Sequence, residues 1–263
     1  MAKFTLTDDR TAVEELEMRE KGRKRLRLAD AGVSRKALGL RSTDPKVASA
    51  TISASPYDTS KGMWTVDVTS VAKGGAMIEV TIDGKPAATL PVTVVERVAL
   101  PAAKEERGLL ARLFLAESRT PANSSYDEQV AKTGMQWMRV VVANRLRDDP
   151  GRFLAPKAKT SLDIIRAPRQ FAGFEQYPTL PKKVTKKLDD VVRLANDDSH
   201  PDQARYEKLV RNAIEIADAR PVADPCPTSL YGWRTEGSSA PGPDFEKWRG
   251  LGGNDFYTLK KKK

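Results

Sequence analysis

The stretch "MIEVTIDGKPAATLPVTVV", residues 77–95, decides the fold of the first part of the chain. Ile78 and Val80 alternate with polar residues, and a period of two is typical of a strand with one buried face. The pair Asp83-Gly84 follows, which is a sequence typical of a tight hairpin turn. The residues after this turn are again rich in valine and threonine. The stretch therefore predicts two antiparallel strands joined by a short turn.

A second alternating stretch lies just before it. In "MWTVDVTSV", residues 63–71, Trp64, Val66 and Val68 share one face. Several short strands at this spacing predict a small immunoglobulin-like β-sandwich over residues 46–99. No catalytic constellation is visible in this segment, so we expect it to serve docking or targeting.

The first 45 residues have a different character. Residues 1–45 mix acidic and basic side chains and have little apolar surface to bury. They are interpreted as a charged N-terminal arm or adaptor segment. Residues 10–30 within it would form either a polar helix or a solvated tail.

The rest of the chain follows a helical period. Residues 105–263 are expected to form a mainly helical domain, and after about residue 220 the period is lost and loops with short extended pieces are predicted. Ser125 and Glu128 fit a capping box at the start of one helix. The predicted helices cover about 105–118, 126–147, 160–167, 182–196 and 203–219.

Charge and composition restrict the function classes. The chain of 263 residues carries a formal net charge of +10, which favours an anionic partner such as nucleic acid, acidic lipid or cell wall. It has no recognised nucleic-acid motif, so we expect no nucleic-acid partner. Cys226 is the single cysteine and His200 the single histidine. This excludes an intrachain disulfide and argues against a zinc site or a histidine-based triad, and no metal or cofactor is predicted.

The N-terminus bears on the site of action. It lacks the apolar core of a Sec signal peptide, and no run of about 18 apolar residues would form a transmembrane segment. We expect synthesis in the cytoplasm and, if the protein acts elsewhere, transport by another machine.

A single acidic residue stands out in "LLARLFLAESRTP", residues 109–121. Leu110, Leu113, Phe114 and Glu117 recur at helical spacing, which places a carboxyl group on the apolar face. Either the helix frays and the glutamate turns to water, or the carboxyl lines a cleft. A partly buried carboxyl has a raised pKa, as a general acid for glycoside cleavage requires.

The next helix has a matching stripe that ends in an amide. Trp137, Val140, Val141 and Asn144 have the same spacing. Packing of the two stripes would bring Asn144 near Glu117, where the amide would orient the carboxyl. The alternative for Asn144 is a plain structural hydrogen bond.

Five stretches resemble, in order, the motifs of the SleB-type cell-wall hydrolases, the spore cortex-lytic family, over residues 106–259. That family carries motifs of the form A-R-x-x-x-x-E-A-R-G-E, G-Q-x-A-V-A-x-V-x-x-N-R, G-Q-F, D-P-T-G-G-A-x-x-Y and I-G-x-H-x-F-Y. The matching stretches here are "LLARLFLAESR", "EQVAKTGMQWMRVVVANRLRD", "RQFAGF", "DPCPTSLYGW" and "LGGNDFYTL".

The resemblance implies a mainly α-helical lysozyme-like catalytic domain over residues 105–263. Together with the small N-terminal Ig-like β-sandwich predicted from the alternating strands, this gives an α+β fold. It implies that Glu117 is the general acid in cleavage of the β-1,4 bond between N-acetylmuramic acid and N-acetylglucosamine. The residues that it implies as substrate-binding or supporting are Arg119, Gln129, Asn144, Gln170, Phe171 and Tyr231.

One departure from the family bears on mechanism. The second acidic residue of the motif is missing, because Arg119 is followed by Thr120-Pro121. This favours a lytic transglycosylase, in which one glutamate donates a proton and then takes one from the muramic 6-hydroxyl. A hydrolase would need a second carboxylate to activate water, for which Glu175 and Asp127 are the candidates.

The function hypothesis is therefore a peptidoglycan muramidase, acting in the periplasm or cell wall of a target cell as an antibacterial type VI secretion effector. Its expected partners are glycan strands, a secretion-apparatus or spike protein bound through residues 1–99, and an immunity protein. The alternatives are a phage lysis or tail-associated lysozyme, and a non-catalytic adaptor with a degenerate catalytic domain.

Overall fold

The computed structural model describes residues 2–7, 10–31, 37–53, 63–220 and 223–260. The chain forms two compact units. The first comprises Met1–Arg97 together with Asn196–Gln203, and the second comprises Val98–Ala195 and Ala204–Lys263.

The described part of the first unit contains two four-stranded sheets, with strand orders β1-β3-β6-β5 and β2-β8-β7-β4. Neighbouring strands are antiparallel except β2 and β8, which are parallel. The strands are β1 (Lys3–Leu6), β2 (Leu16–Arg19), β3 (Arg23–Ala29), β4 (Leu38–Ser42), β5 (Ala48–Ile52), β6 (Trp64–Ser70), β7 (Gly74–Ile82) and β8 (Lys85–Val95).

The predicted hairpin of β7 and β8 is confirmed. Ile82 pairs with Lys85, and the two residues between them have positive φ, +50° at Asp83 and +75° at Gly84. Two successive positive φ angles match the twist of a hairpin, and Asp-Gly tolerates them well. Ile78 and Val80 point into a core that is fully shielded from solvent.

The N-terminal segment differs from its sequence expectation. Residues 1–45 are not a separate arm, because β1 to β4 lie in the two sheets. The polar helix over residues 10–30 is wrong for the same reason. Leu26 and Leu28 of β3 are completely buried, and Arg27 between them is also buried, while Arg23 and Arg25 are exposed. A period of two was present, but the charged residues concealed it.

The second unit begins with helices and ends with a sheet. In its described part the helices are α1 (Glu106–Glu117), α2 (Glu128–Arg147), α3 (Ser161–Ile165), α4 (Lys182–Ala195) and α5 (Gln203–Asp218), with a 3-10 turn at Pro150–Phe153. The strands β9 (Gly232–Thr235), β10 (Phe245–Leu251) and β11 (Asn254–Leu259) form an antiparallel sheet in the order β10-β11-β9.

The predicted fold class, with a mainly α-helical lysozyme-like domain, is wrong. The predicted helical segments are present, but strands and helices occupy nearly equal shares of the described chain. The sheet of β9, β10 and β11 escaped notice because its strands are four to seven residues long, and β10 contains a bulge between Lys247 and Arg249 that breaks the alternation. Phe256 and Tyr257 of β11 are buried in the core of this unit.

The first helix of this unit is a core helix. Leu109, Leu110, Leu113, Phe114 and Leu115 of α1 are all at most 1% exposed, so apolar residues cover most of its circumference. The carboxyl-terminal end of α1 is consequently fixed by packing. None of the helices in the described part of the chain is long and apolar enough to cross a bilayer.

The cap of α2 also differs from expectation. The helix begins at Glu128, and the Asp127 side chain accepts a hydrogen bond from the Val130 amide at 2.8 Å. Asp127 is therefore the N-cap residue in place of Ser125.

Candidate functional site

Glu117 is the last residue of α1 and is partly buried. Its Oε2 accepts a hydrogen bond of 3.1 Å from the indole Nε1 of Trp233 in β9. Its backbone carbonyl accepts a second hydrogen bond, 3.3 Å long, from Nδ2 of Asn254 in β11. The sheet therefore holds both the side chain and the main chain of Glu117, and a frayed helix end is not what the structure contains.

The surroundings favour the protonated form of Glu117. Burial raises the pKa of its carboxyl group above the ordinary value. The hydrogen bond from Trp233 and the charges of Lys187 and Arg234 act in the opposite direction and are outweighed. A carboxyl group tuned in this way retains its proton to higher pH than an exposed glutamate.

The carboxyl group lines an open cavity of about 560 Å³ within the second unit. The end of α1 and the loop after it form one wall, α4 contributes Lys187, and the ends of the strands form the opposite wall. The polar and charged residues on its surface are Glu117, Ser118, Arg119, Thr120, Asn123, Lys187, Thr235, Glu236 and Asn254.

Arg119 lies on the cavity wall against a glycine turn. Its guanidinium donates to Ser125 Oγ at 2.9 Å and to Glu236 Oε2 at 3.2 Å. A Cβ atom on Gly253 would lie 2.3 Å from Nε of Arg119, so only glycine permits this approach. Gly252 and Gly253, with φ of +60° and +83°, form the tight turn between β10 and β11.

A second carboxylate on this cavity was not anticipated. Glu236 directly follows β9 and is paired with Arg119. Its side chain is 59% exposed, whereas that of Glu117 is enclosed by the helix end and Trp233. The two acids of the cavity therefore have different environments.

Three of the residues implied by the resemblance, Gln170, Phe171 and Tyr231, form a cluster with a buried arginine. Arg145 in α2 is 4% exposed. It donates to the Tyr231 carbonyl at 2.7 Å and to Gln170 Oε1 at 2.9 Å, and its guanidinium lies 4.9 Å from the centre of the Phe171 ring. Phe171 in turn packs against Trp233 at 5.1 Å. The cluster thus reaches Glu117 through two aromatic rings.

The charge of Arg145 is held mainly by neutral groups. A second ring, Phe153, lies 4.8 Å from its guanidinium and stacks on Tyr231. Burial, with a smaller contribution from the charge of Arg234, lowers the pKa of Arg145 to about 9. It is still cationic at neutral pH, and hydrogen bonds and ring faces stabilise its charge.

Asn144 does not contact the Glu117 carboxyl group. Its Nδ2 donates to Asp224 Oδ2 at 2.5 Å and to the Leu230 carbonyl at 2.9 Å. Asp224 also accepts from the amides of Cys226 and Leu230. Asn144 therefore holds the loop that leads into β9. Of the two roles considered from the sequence, it has the structural hydrogen bond and does not orient the Glu117 carboxyl group.

The remaining sequence candidates lie away from the cavity wall. Gln129 is exposed in the first turn of α2, with Thr133 as its side-chain partner. Asp127 caps the same helix. Glu175 accepts from the Gly173 amide and lines a different cavity of about 420 Å³. Neither acid is a wall residue of the Glu117 cavity.

Three residues that contact or face Glu117 were missed: Trp233, Asn254 and Lys187. Trp233 and Asn254 stand in the stretches "DPCPTSLYGW" and "LGGNDFYTL", so the motif order pointed to their segments but not to their side chains. Lys187 stands among several lysines of α4, but its spacing from Val184 and Val191 places it on the buried face, and this spacing was the available signal.

The described residues contain no group of histidine, cysteine, aspartate or glutamate side chains arranged to hold a metal ion. His200 belongs to the first unit, where its Nδ1 accepts from the Asp202 amide at 3.1 Å.

Comparisons with known proteins identify no family for this chain. No protein-family model matches the chain, and no curated protein matches it. Domains 5-6 of the S-layer protein SbsC are 18% identical, with a TM-score of 0.27 over 34% of this chain and 43% of that one. The Lin-41 filamin domain is 11% identical, with a TM-score of 0.24 over 35% of this chain and 90% of that one.

A polysaccharide lyase is 12% identical, with a TM-score of 0.26 over 81% of this chain and 34% of that one. This chain spans less than half the length of the S-layer fragment that it matches.

Proposed function

We propose that this protein cleaves the β-1,4 bond between N-acetylmuramic acid and N-acetylglucosamine in peptidoglycan, with Glu117 as general acid and then general base. The observation that carries the proposal is the environment of Glu117. Its carboxyl group lies on an open cavity, has a raised pKa and is oriented by the Trp233 indole. A general acid for glycoside cleavage needs these three properties.

The reaction proceeds in two proton transfers. Protonated Glu117 donates its proton to the glycosidic oxygen as the bond to the muramic C1 breaks. The resulting carboxylate accepts the proton of the muramic 6-hydroxyl, whose oxygen bonds to C1 and closes a 1,6-anhydro ring. The products are an N-acetylglucosamine end with a free 4-hydroxyl and an anhydromuramic end, and no water is consumed.

Transglycosylation is favoured over hydrolysis by the placement of the other acids. Asp127 and Glu175, the sequence candidates for activating water, are not on this cavity wall. Glu236 is on it, but its carboxylate is engaged by Arg119 at 3.2 Å. Glu117 is thus the acid that the cavity offers for both proton transfers.

The basic charge of the chain suits an anionic wall polymer. Within this proposal the first unit docks the protein on a secretion apparatus or spike, and the protein acts as a type VI secretion effector in the periplasm of a target cell, opposed there by an immunity protein.

The test is a digestion of purified peptidoglycan by the native protein, Glu117→Gln and Glu236→Gln, with mass spectrometry of the soluble fragments. We expect anhydro-muropeptides from the native protein and Glu236→Gln, and a loss of at least about 100-fold in Glu117→Gln. Circular dichroism and thermal melting check that the variants are folded.

The other outcomes are equally informative. Fragments with reducing ends that disappear in Glu236→Gln would show hydrolysis with Glu236 as the base, and would overturn transglycosylation. Equal fragment yields from the native protein and Glu117→Gln, or no fragments from the folded native protein, would overturn the glycosidase proposal itself.

A further inference from the structure

Lys187 of α4 is bound to the main chain on both sides of Glu117. Its Nζ donates to the carbonyl oxygen of Ala116 at 2.6 Å and to that of Ser118 at 2.9 Å. These residues immediately precede and follow Glu117, so one ammonium group ties together the segment that carries the carboxyl. Lys187 also lines the same cavity as Glu117.

The position of Lys187 meets a requirement of α1. The last carbonyl groups of a helix lack partners within it, and the helix dipole leaves partial negative charge there. The last turn of α1 contains no basic residue. Lys187 supplies the missing cation from another helix, and it does so where Glu117 stands.

The other charged groups around Glu117 are attached differently. Arg234 acts on it from β9, while Arg119 follows α1 and is engaged by Glu236, which follows β9. None of these three is hydrogen-bonded to the main chain next to Glu117 in the described structure. Among these charged groups, Lys187 is therefore the one that both binds the main chain beside Glu117 and acts on its carboxyl group through charge.

We propose that Lys187 is a positioning residue that fixes the Glu117 segment and sets the pH range in which Glu117 holds its proton. This inference rests on the proposed function, since it assigns a control element to the same site. In chemical terms, the Lys187 ammonium group is held near the Glu117 carboxyl group, which must be protonated in the first step and ionised in the second.

The mutual influence of the two groups agrees with this role. The charge of Lys187 works against burial and lowers the pKa of Glu117 from the level that burial alone would give. Burial lowers the pKa of Lys187 itself, and the charge of Glu117 partly restores it. Because Lys187 is partly buried, solvent screens this pair less than it screens an ion pair on the surface.

The experiment compares Lys187→Gln, Lys187→Arg and Lys183→Met in the full chain. Glutamine keeps a donor for the carbonyls but removes the charge, and arginine keeps both. Lys183 is an exposed lysine one turn earlier on α4, so its removal takes away the same charge at the helix surface. Thermal melting checks the fold of each variant.

The primary readout is a pH titration of the Glu117 carboxyl carbon by nuclear magnetic resonance, assigned by its disappearance in Glu117→Gln. We expect the titration to move up by roughly one pH unit in Lys187→Gln. It should stay within a few tenths of a unit of the native value in Lys187→Arg and Lys183→Met. The alkaline limb of the muropeptide-release profile should move by the same amount.

Each contrary result has a definite meaning. An unmoved Glu117 titration in folded Lys187→Gln would overturn the proposal, as would an equal shift in Lys183→Met. If Lys187→Gln does not fold while Lys187→Arg keeps the native titration, a Lys187→Met variant at low temperature supplies the neutral comparison. Since the titration requires no substrate, the inference can succeed even where the glycosidase proposal fails, and the reverse also holds.

Discussion

The indole Nε1 of Trp233 lies 3.1 Å from Oε2 of Glu117 and donates a hydrogen bond to it. Trp233 is 8% exposed, and its ring packs on Phe171, which lies under the Arg145 guanidinium. The donor to Glu117 is therefore held by a packed stack and not by a mobile surface side chain. Such a donor favours the ionised carboxylate and fixes its direction.

Replacement of Trp233 by phenylalanine keeps an aromatic ring against Phe171 but removes the N–H donor. We expect the pKa of Glu117 to rise, because the lost hydrogen bond had lowered it. The alkaline limb of the pH–activity profile then moves to higher pH. Hydrogen bonds to charged groups contribute about 1.5–3 kcal/mol, so cleavage should fall about tenfold or more. Muropeptide release, measured from about pH 4 to about pH 9, reports both the shift of the profile and the loss of activity.

The matched control is Trp248→Phe in β10, where the tryptophan packs on Trp137 at 5.0 Å. The same chemical change at that site should leave the pH profile in place. A Trp233→Phe protein with the native profile would show that the indole contributes packing alone.

A second prediction concerns the glycine turn behind Arg119. Gly253→Ala introduces a Cβ that meets Nε of Arg119 at 2.3 Å, at a position whose φ is +83°. We expect Arg119 to be displaced from Ser125 and Glu236, and the free energy of unfolding to fall by about 2–3 kcal/mol. Urea unfolding and muropeptide release measure the two effects.

Gly237→Ala separates backbone strain from the clash. Gly237 also has a positive φ, +79°, but a Cβ there meets nothing within 4 Å. We expect this variant to lose about 1 kcal/mol of stability and to keep the native rate of cleavage. Equal losses in the two alanine variants would contradict a specific role for the close approach of Arg119 to Gly253.

Sequence patterns predicted correctly those turns and strands that depend only on residues close together in the chain. The Asp83-Gly84 turn needs only two residues with positive φ, and the alternation of Ile78 and Val80 needs only one buried face. In β3 the buried residues Leu26 and Leu28 stand among arginines, so the same alternation was diluted by charge. The short strands of the second unit offered too few residues for a period to be visible.

Sequence patterns predicted only part of the candidate site. Helical spacing identified Glu117, but it gave the same signal for Asn144, whose amide binds Asp224 instead. The period of a helix gives its buried face but not which neighbour that face meets. Trp233 and Asn254 reach Glu117 across 116 and 137 residues of sequence, and only the folded chain brings them there.

A third prediction follows from the position of Asn144. Asn144→Asp replaces the donor to Asp224 and to the Leu230 carbonyl with a carboxylate. Two facing carboxylates and an unpaired carbonyl should destabilise the second unit by about 3 kcal/mol at pH 7. The carboxyl group introduced at position 144 should have a higher pKa in the folded than in the unfolded protein. The destabilisation is therefore present at pH values above the unfolded pKa and becomes smaller as pH falls toward it.

The matched amide-to-acid control is Gln129→Glu, since Gln129 is exposed on the first turn of α2. A new carboxylate at a helix N-terminus should change stability by less than about 0.5 kcal/mol. Urea unfolding at about pH 7 and about pH 4 measures the free energy of unfolding of both variants above and near the ordinary carboxyl pKa. A folded Asn144→Asp protein of native stability would contradict the anchoring role of Asn144.

A fourth prediction concerns the first unit, where Asp67 of β6 is a buried carboxylate between two arginines of β3. Its side chain is 5% exposed, and it accepts hydrogen bonds from Arg25 at 2.8 Å and Arg23 at 2.7 Å. The hydrogen bond from Arg25 is the largest cause of the lowered pKa of Asp67, and burial partly opposes it. These ion pairs thus join β6 to the neighbouring strand β3 of the same sheet.

Asp67→Asn should lower the stability of this unit by about 1–2 kcal/mol at neutral pH. This loss of stability is modest because both arginine side chains are more than half exposed and solvent screens their charges. A carboxyl with a depressed folded pKa stabilises the fold above its unfolded pKa, and this contribution is lost as pH falls through the folded value. The difference between native protein and variant should therefore shrink in acid.

Hydrogen exchange of the β3 and β6 amides gives a local measurement of this difference, because it reports the opening of that sheet without unfolding the second unit. Glu79→Gln is the control, since Glu79 and Arg41 form an exposed pair with atoms 3.9 Å apart. We expect that variant to match the native protection at every pH, as exposed pairs contribute little. If Asp67→Asn loses no protection at neutral pH, or loses the same amount in acid, the two arginines do not stabilise the sheet through the Asp67 carboxylate.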